Sequence, residues 1–221
     1  MPEHLTLKLS GLLALVLPPS LAMAQDSWSD PFTGVRRLHR RTSNQDAQVL
    51  VVDLCAAGVS VRATGSGERR RTPSSFGSLV GAQAAVNGDF FSFDTYSTNG
   101  VSMSGGAAWG GDDHGYVAPV AFGDRRVAMP VHEAGGAPEP WMREVVSGHP
   151  TVLWGGAKRD NNGDPLCTNR HPRTAVGLSA NRKTLVMAVV DGRKPNRLGF
   201  TCDELSALLA ELGAADGMNL D

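Results

Sequence analysis

The pattern of apolar and polar positions is most regular near the end of the chain. Two apolar runs, 174–178 and 185–190, stand on either side of the polar turn 180–183. Short apolar runs of this kind, separated by a turn, are typical of paired strands. We therefore predict an antiparallel β-hairpin, in which the start of the first strand lies close to the end of the second.

A helix is predicted after this hairpin. Residues 201–204 have the spacing of a capping box, and Gly213 is a typical helix stop. Between them, leucines recur at helical intervals, at Leu205, Leu208, Leu209 and Leu212. The helix is therefore amphipathic and is expected to pack on a sheet. Residues 214–221 are predicted to begin one more strand.

Shorter elements are predicted in the first two thirds of the chain. Turn residues from Thr72 lead into a predicted helix that ends near Gly81. Period-two alternation or β-branched apolar runs predict strands elsewhere. The predicted strands are 49–54, 59–64, 82–86, 117–122 and 126–129.

Composition limits the class of protein. A chain of 221 residues, 41% of them hydrophobic, suits one globular domain of ordinary size. Lys and Arg together number 21 and Asp and Glu 22. This balance gives no electrostatic reason to expect a nucleic acid as partner.

The N-terminus has the form of a secretory signal. The apolar run 9–17 follows a basic residue, and Ala22-Met23-Ala24 matches a small-x-small cleavage site. A buried helix is the alternative, but Pro18-Pro19 argues against a helix that continues. The run is too short to span a bilayer. We expect residues 1–24 to be removed and the mature protein to be exported, periplasmic or secreted, with no stable membrane span.

Export would permit a disulfide bond among the three cysteines. Cys167 precedes the predicted hairpin and Cys202 opens the last predicted helix, so we pair these two. Cys55 is then expected to be buried in a strand. Three unpaired thiols are the alternative.

Two polar clusters follow predicted strands. Asn87-Gly88-Asp89 precedes the long Gly/Ser-rich segment 92–111, and long loops in compact domains often bind ligands. A plain tight turn is the alternative, since Asn-Gly is a strong hairpin signal. At the hairpin, Arg173 begins the first strand and Asp191-Gly192-Arg193 follows the second. The pairing is expected to bring Arg173 near Asp191 and Arg193, either as a ligand site or as a structural ion pair.

Two acidic clusters do not predict a metal site. Asp112-Asp113-His114 are adjacent residues, which rarely converge on one ion, and no zinc-type Cys/His spacing occurs. Residues 160–164 begin like a calcium loop, but Pro165 stands where that loop needs glycine and no closing glutamate follows, so we predict a turn. We expect no cofactor and no bound metal.

Four motifs together resemble the phosphodiester glycosidase family, in the family's order. They are Val86-Asn87-Gly88-Asp89-Phe90-Phe91, Pro172-Arg173-Thr174-Ala175-Val176-Gly177, Val190-Asp191-Gly192-Arg193, and Leu212-Gly213-Ala214 with Asn219-Leu220-Asp221. The resemblance implies a single α+β domain over residues 25–221, with a mixed, largely antiparallel β-sheet and packed helices. In the family the last motif continues into a glycine-rich loop and further strands, so the domain is expected to be truncated at its C-terminus.

The resemblance also implies an activity. It is hydrolysis of a sugar-1-phosphate diester on its glycosidic side, which releases the sugar and leaves a phosphomonoester. The expected partner is such a diester or an envelope glycan. Glycosidases commonly use two carboxylates, and arginine neutralises phosphate bidentately. The expected catalytic residues are Arg173 on the phosphate and Asp191 with Asp221 as acid–base or nucleophile; the expected substrate-binding residues are Asn87, Gly88, Asp89, Gly192, Arg193 and Asn219.

Two other functions stay open. The first is a carbohydrate- or envelope-binding module of the same fold without turnover, which truncation would favour. The second is a metal-dependent phosphodiesterase, although no metal cluster is visible in the sequence.

Overall fold

A computed structural model describes residues 25–110, 117–130 and 137–221. Within them the chain forms two β-sheets. The larger sheet has eight strands in the order β1-β2-β3-β12-β11-β13-β9-β10. These strands are β1 (Gln25–Phe32), β2 (Val35–Arg41), β3 (Asp46–Asp53), β9 (Thr151–Trp154), β10 (Ala157–Lys158), β11 (Arg173–Leu178), β12 (Thr184–Val190) and β13 (Asp216–Leu220).

The smaller sheet has five strands in the order β5-β4-β8-β6-β7. They are β4 (Ser102–Ser104), β5 (Ala107–Trp109), β6 (Ala118–Phe122), β7 (Val127–Ala128) and β8 (Glu144–Gly148). The helices are α1 (Pro73–Val80), α2 (Pro165–Thr168) and α3 (Cys202–Glu211), and a short 3-10 turn spans Ser66–Glu68.

The α+β expectation needs one correction. Helix accounts for 14% of the chain and strand for 38%, so the expected packed helices are few. Every strand pairing in the described ranges is antiparallel. The physical reason is that most apolar runs of the chain are short and rich in β-branched residues, which favours strands over helices.

The predicted hairpin is confirmed. In β11 and β12, Arg173 pairs with Val190 and Leu178 pairs with Leu185. Strand β13 lies on the other side of β11, where Ala175 pairs with Asn219, so the predicted last strand is confirmed as well. All six residues of β11 are buried, because it is covered by neighbouring strands at both edges and by packed elements on both faces.

Helix α3 also follows its sequence signals. The Thr201 side chain accepts a hydrogen bond from the Glu204 N–H, and Glu204 bonds back to the Thr201 N–H, which completes the capping box. Leu205, Leu208 and Leu209 pack into a core that covers one face of the large sheet. The predicted disulfide between Cys167 and Cys202 is present and ties α2 to α3.

The opposite face of the large sheet packs on the small sheet. Val176, Leu178 and Met218 share one apolar cluster with Val120 and Phe122. The two sheets are thus held together by a common core. The chain passes from the small sheet to the large one between β8 and β9, through the cis peptide His149–Pro150.

Several sequence predictions hold and others are wrong. The strand at 49–54, the helix after Thr72 and the 117–129 strand pair are present. The segments 59–64 and 82–86 form no strand, although both were predicted. Cys55 is exposed in a turn, because β3 ends two residues before it, whereas burial was predicted.

Two predictions lie outside the described residues. They are the signal peptide at 1–24 and the cluster at 112–114. In the described ranges, no helix combines the length and the hydrophobicity needed to cross a bilayer.

Gly148, the last residue of β8, provides a test of how closely the two sheets approach. A Cβ there would lie 2.3 Å from the Asn219 carbonyl oxygen and 2.8 Å from Leu220 Cδ2. We expect Gly148→Ala to lower the free energy of unfolding by about 1–3 kcal/mol, because the clash is with backbone that cannot move freely.

The measurement is a urea unfolding curve. Gly163→Ala is the matched control, since a Cβ at Gly163 meets nothing within 4 Å. We expect the control to change stability by less than about 0.5 kcal/mol. Equal stability of the two variants would show that the sheets do not meet as described.

Candidate functional site

The loop Asn87-Gly88-Asp89 connects the two sheets. From the large sheet, Thr174 Oγ1 donates to Asn87 Oδ1 at 2.5 Å, and the Asp221 N–H donates to the Gly88 carbonyl at 3.0 Å. From the small sheet, the Ser147 N–H donates to Asp89 Oδ1 at 2.6 Å. Three of the predicted site residues therefore sit where the strand ends of both sheets converge.

Asp89 has the most strongly altered carboxyl group in this region. Burial raises its pKa to about 7, and hydrogen bonds from the Ser147 N–H and the Ser102 hydroxyl only partly oppose this effect. Ser102 Oγ lies 3.2 Å from Asp89 Oδ1 and 3.0 Å from Thr98 Oγ1. A carboxyl with such a pKa is present in both protonation states near neutral pH, which suits proton transfer.

Asp221 is the second carboxyl at this place. Its N–H is bonded to Gly88, the residue next to Asp89, so the two aspartates belong to adjacent pieces of backbone. Burial also raises the pKa of Asp221. Asp221 was predicted to belong to a carboxylate pair, and its backbone lies against the 87–89 loop.

Arg173 is turned into the protein. It is 3% exposed, and its guanidinium donates to main-chain carbonyl groups. Nε donates to Phe200 O at 2.8 Å, while Nη2 donates to Leu166 O at 2.5 Å and to Asn169 O at 3.3 Å. Burial lowers the pKa of Arg173, and the nearby charge of Asp164 acts in the opposite direction. Most of the donors of this side chain are therefore used inside the fold.

Asn219 continues this buried network. Its Oδ1 lies 3.4 Å from Arg173 Nη1, and its Nδ2 donates to His149 O at 2.9 Å and to Leu220 O at 2.6 Å. Asn219 is 2% exposed. In this structure it joins Arg173 to the crossing between the sheets.

Asp191, Gly192 and Arg193 lie apart from this network. Asp191 is exposed, and its carboxylate is 4.0 Å from Lys194 Nζ. In the described residues Arg173 makes no ion pair with Asp191, so the structural ion pair given as the alternative is not formed. Side chains at successive strand positions point to opposite faces, so the register that sets Val190 beside Arg173 directs Asp191 away.

Gly192 and Arg193, which follow β12, have different surroundings. A Cβ on Gly192 would lie 2.4 Å from the Pro172 nitrogen, so the glycine allows the chain to pass close to the start of β11. Arg193 is exposed with a φ of 59°. The pKa of His171 is lowered mainly by burial. The positive charges of Arg173 and Arg193 lower it further.

Several polar residues of the region carry no sequence signal. Ser102 in β4 and Ser147 in β8 contact Asp89, and Thr98, before β4, contacts Ser102. His149 Nε2 lies 3.2 Å from Asp164 Oδ2, and Asp164 also caps α2 through the Leu166 N–H. Their positions depend on contacts between distant segments, and the sequence carries no spacing signal for them. In the described ranges no group of three His, Cys, Asp or Glu residues is arranged to hold a metal ion.

Arg173→Lys tests the buried role of this arginine. A lysine has no planar fork, so it cannot satisfy three carbonyl groups and Asn219 together. We expect the free energy of unfolding to fall by about 2–4 kcal/mol, which corresponds to the loss of one or two hydrogen bonds from a charged donor. Chemical denaturation measures this change.

Arg193→Lys is the control, because Arg193 is exposed. We expect it to change stability by less than about 0.5 kcal/mol. If Arg173→Lys were as stable as the wild type but bound phosphate less tightly, the guanidinium would face substrate and not the fold.

Three solved structures share this architecture at low sequence identity. A hypothetical protein from Synechocystis aligns with a TM-score of 0.60 and 12% identity, over 90% of this chain and 62% of that protein. The zebrafish N-acetylglucosamine-1-phosphodiester α-N-acetylglucosaminidase catalytic domain aligns with a TM-score of 0.59 and 16% identity, over 90% and 69%. A protein from Burkholderia pseudomallei described as exported aligns with a TM-score of 0.50 and 15% identity, over 85% and 68%.

These identities show similarity of fold, and the chain spans less than two thirds of the Synechocystis protein. No curated protein matches the chain. The family model described as phosphodiester glycosidase matches residues 80–221, a range that includes the 87–89 loop, the β11–β12 hairpin and β13. The chain therefore belongs to the phosphodiester glycosidase family.

Proposed function

We propose that this protein hydrolyses the bond between the anomeric carbon of a sugar and the phosphate of a sugar-1-phosphate diester. Water adds to the anomeric carbon, the carbon–oxygen bond breaks, and the products are a free sugar and a phosphomonoester. The family match supports this reaction type. The observation that carries the proposal is the pair Asp89 and Asp221, two carboxyls with raised pKa values on adjacent backbone segments.

Asp89 is proposed as the acid–base group. Its pKa of about 7 lets it hold a proton for the departing phosphate oxygen and then accept one from water. The Ser147 N–H and the Ser102 hydroxyl both reach Oδ1, so they fix the orientation of the carboxyl group. This assignment differs from the sequence expectation, which gave Asp89 a substrate-binding role.

Asp221 is proposed as the second carboxylate. Positive charge develops on the anomeric carbon as the bond breaks, and a carboxylate stabilises that charge or attacks the carbon directly. Asp191 was the expected partner of Asp221. In the described residues Asp191 makes no hydrogen bond with the 87–89 loop, which favours Asp89 in that role.

Arg173 is proposed as a positioning residue. Its donors are used by carbonyl groups and by Asn219, so it acts on the site through Asn219 and the His149 carbonyl. Arg193, which was expected to bind substrate, is the more accessible cation of the two and lies on the Asp191 side. Asn87 and Gly88 hold the loop, with Asn219 and Gly192 supporting the surrounding backbone.

An exported location is part of the proposal. The Cys167–Cys202 disulfide supports it, because such bonds persist in oxidising compartments. The signal-like N-terminal sequence and the Burkholderia protein described as exported point the same way. The substrate is then a sugar-phosphate diester or a glycan of the cell envelope.

The direct test uses a synthetic sugar-1-phosphate diester, with and without a chelator. We expect free sugar and a phosphomonoester in equal amounts, at rates that the chelator does not change. Release of an alcohol with sugar phosphate retained, and inhibition by the chelator, would instead identify a metal-dependent phosphodiesterase. Glycan binding without turnover would identify a binding module.

Asp89→Asn tests the proposed acid–base group. Proton transfer by a positioned group typically contributes about 10²–10⁴ in rate, so we expect a loss of kcat of that size. Asp191→Asn is the comparison variant and should keep most of the activity. A comparable loss in Asp191→Asn, with Asp89→Asn active, would restore the assignment expected from the hairpin.

Asp89 also predicts a pH dependence of stability. Its pKa is raised from 3.8 in the unfolded chain to about 7 in the fold, so its contribution is fully present below pH 4 and is lost as the pH rises to 7. The change amounts to at most about 4 kcal/mol. We expect urea unfolding curves of Asp89→Asn to lack this decline between pH 4 and 7; an unchanged pH profile would show that Asp89 is not desolvated.

A further inference from the structure

Three consecutive arginines follow the 3-10 turn at Ser66–Glu68. Arg69, Arg70 and Arg71 are all exposed. In the part of the chain that the structure describes, none of them is within ion-pair distance of a carboxylate. Other arginines are paired, as Arg62 is with Glu68. The cluster therefore concentrates positive charge that the described fold does not neutralise.

An aromatic cluster lies against these arginines. The ring of Phe91 is 5.0 Å from that of Phe93 and 5.4 Å from that of Tyr96, measured between centroids. The Arg70 guanidinium lies 4.8 Å from the centroid of the Tyr96 ring. Phe93 is 81% exposed, the most exposed large apolar side chain in the described residues. A phenylalanine held at the surface next to cations is typical of a binding surface.

The contact between Arg70 and Tyr96 is held in an unfavourable backbone conformation. Arg70 has a φ of 66° and Tyr96 a φ of 57°, the left-handed region that bulky residues rarely adopt. Such residues cluster at ligand clamps, where the strain is maintained by the surrounding structure. Here both members of one contact are strained, and the Arg69 guanidinium holds the loop at 3.5 Å from the Thr95 and Tyr96 carbonyls.

Two connections join this cluster to Asp89. Along the chain, Phe91 follows Asp89 by two residues and forms a β-bridge with Thr98. Through space, Ser102 Oγ contacts both Asp89 Oδ1 and Thr98 Oγ1. The Ser102 hydroxyl, which lies against the Asp89 carboxyl group, therefore also lies against Thr98 at the base of the aromatic loop.

A parallel connection runs through Trp109. Trp109 pairs with Ser102 across β4 and β5, and the Arg69 guanidinium lies 5.7 Å from the centroid of the Trp109 ring. The Trp109 Nε1–H donates to the Thr64 carbonyl, which fixes the indole relative to the segment that carries the arginines. Arg69 therefore contacts Trp109, and Trp109 pairs with Ser102, the β4 residue that contacts Asp89.

We propose that Arg69 and Arg70, with Phe93 and Tyr96, bind the leaving group of the reaction: a phosphomonoester whose organic part contains a sugar or aromatic ring. This inference rests on the proposed function. After the anomeric carbon–oxygen bond breaks, the phosphate keeps the oxygen and carries negative charge, which guanidinium groups hold in two-point contacts. The ring of the organic part stacks on the exposed aromatic side chains.

The assignment also accounts for the phosphate charge that Arg173 does not reach in this structure. Arg173 is buried and bonded to carbonyls, whereas Arg69 and Arg70 are exposed beside Tyr96, seven residues after Asp89.

The test uses phenyl phosphate as a probe, measured by saturation-transfer NMR against the whole protein. We expect the wild type to bind it, and Arg70→Gln and Phe93→Ser each to weaken binding about five- to tenfold. Benzyl alcohol, which lacks the charge, should bind much more weakly than phenyl phosphate. Thermal unfolding of both variants should stay close to that of the wild type, because both side chains are exposed.

Arg125→Gln is the matched control. Arg125 is exposed in the β6–β7 turn and is not ion-paired in the described structure. The control should bind phenyl phosphate as the wild type does. Absence of binding by the wild type, or an equal loss in Arg125→Gln, would overturn the proposed subsite.

A kinetic comparison separates this inference from the proposed function. Diesters with a phenyl or a methyl group on the phosphate are hydrolysed side by side. We expect a lower KM for the phenyl diester in the wild type and loss of that preference in Phe93→Ser. Turnover of both diesters with equal KM would overturn the subsite and leave the glycosidase function intact. No turnover of either, with phenyl phosphate bound through Arg70, would overturn the proposed function and the leaving-group role together.

Discussion

The close approach of the two sheets at Gly148 is the constraint on which the rest of the structure depends. The Asn219 carbonyl lies where a side chain on Gly148 would stand, so main chain meets main chain there. The 87–89 loop passes through the same place and bonds to both sheets. The Asp89 carboxyl group, held by one N–H and one hydroxyl, is half-buried at this crossing, and this burial raises its pKa.

The buried Arg173 network stabilises the same crossing from the other face of the large sheet. A guanidinium is costly to bury, and here the carbonyl groups of Leu166, Asn169 and Phe200 offset that cost. The Cys167–Cys202 disulfide holds α2 to α3 and therefore keeps these carbonyls in place. Asn219 links Arg173 to the His149 carbonyl, so the disulfide and these hydrogen bonds stabilise the same crossing.

This arrangement gives the two aspartates and the nearby arginines different environments. The strand ends near the crossing place Asp221 beside the residue that precedes Asp89, and both carboxyls gain raised pKa values from burial. Outside the crossing, Arg69, Arg70 and Arg71 stay exposed and unpaired with carboxylates in the described chain. A desolvated acid–base group beside a solvated cationic and aromatic surface suits a reaction that separates a neutral sugar from an anionic phosphomonoester.

The sequence by itself determined the elements whose signals are local. The β11–β12 hairpin, the capping box and leucine spacing of α3, and the pairing of Cys167 with Cys202 all follow from residues close together or from flanking elements. The contacts between distant segments alone turn Arg173 inward and leave the Asp89 carboxyl half-buried, whereas Asp191 is exposed. The physical reason is that burial and pKa depend on distant neighbours: Asp89 is bonded to Ser147, 58 positions away, and no periodicity along the chain encodes that contact.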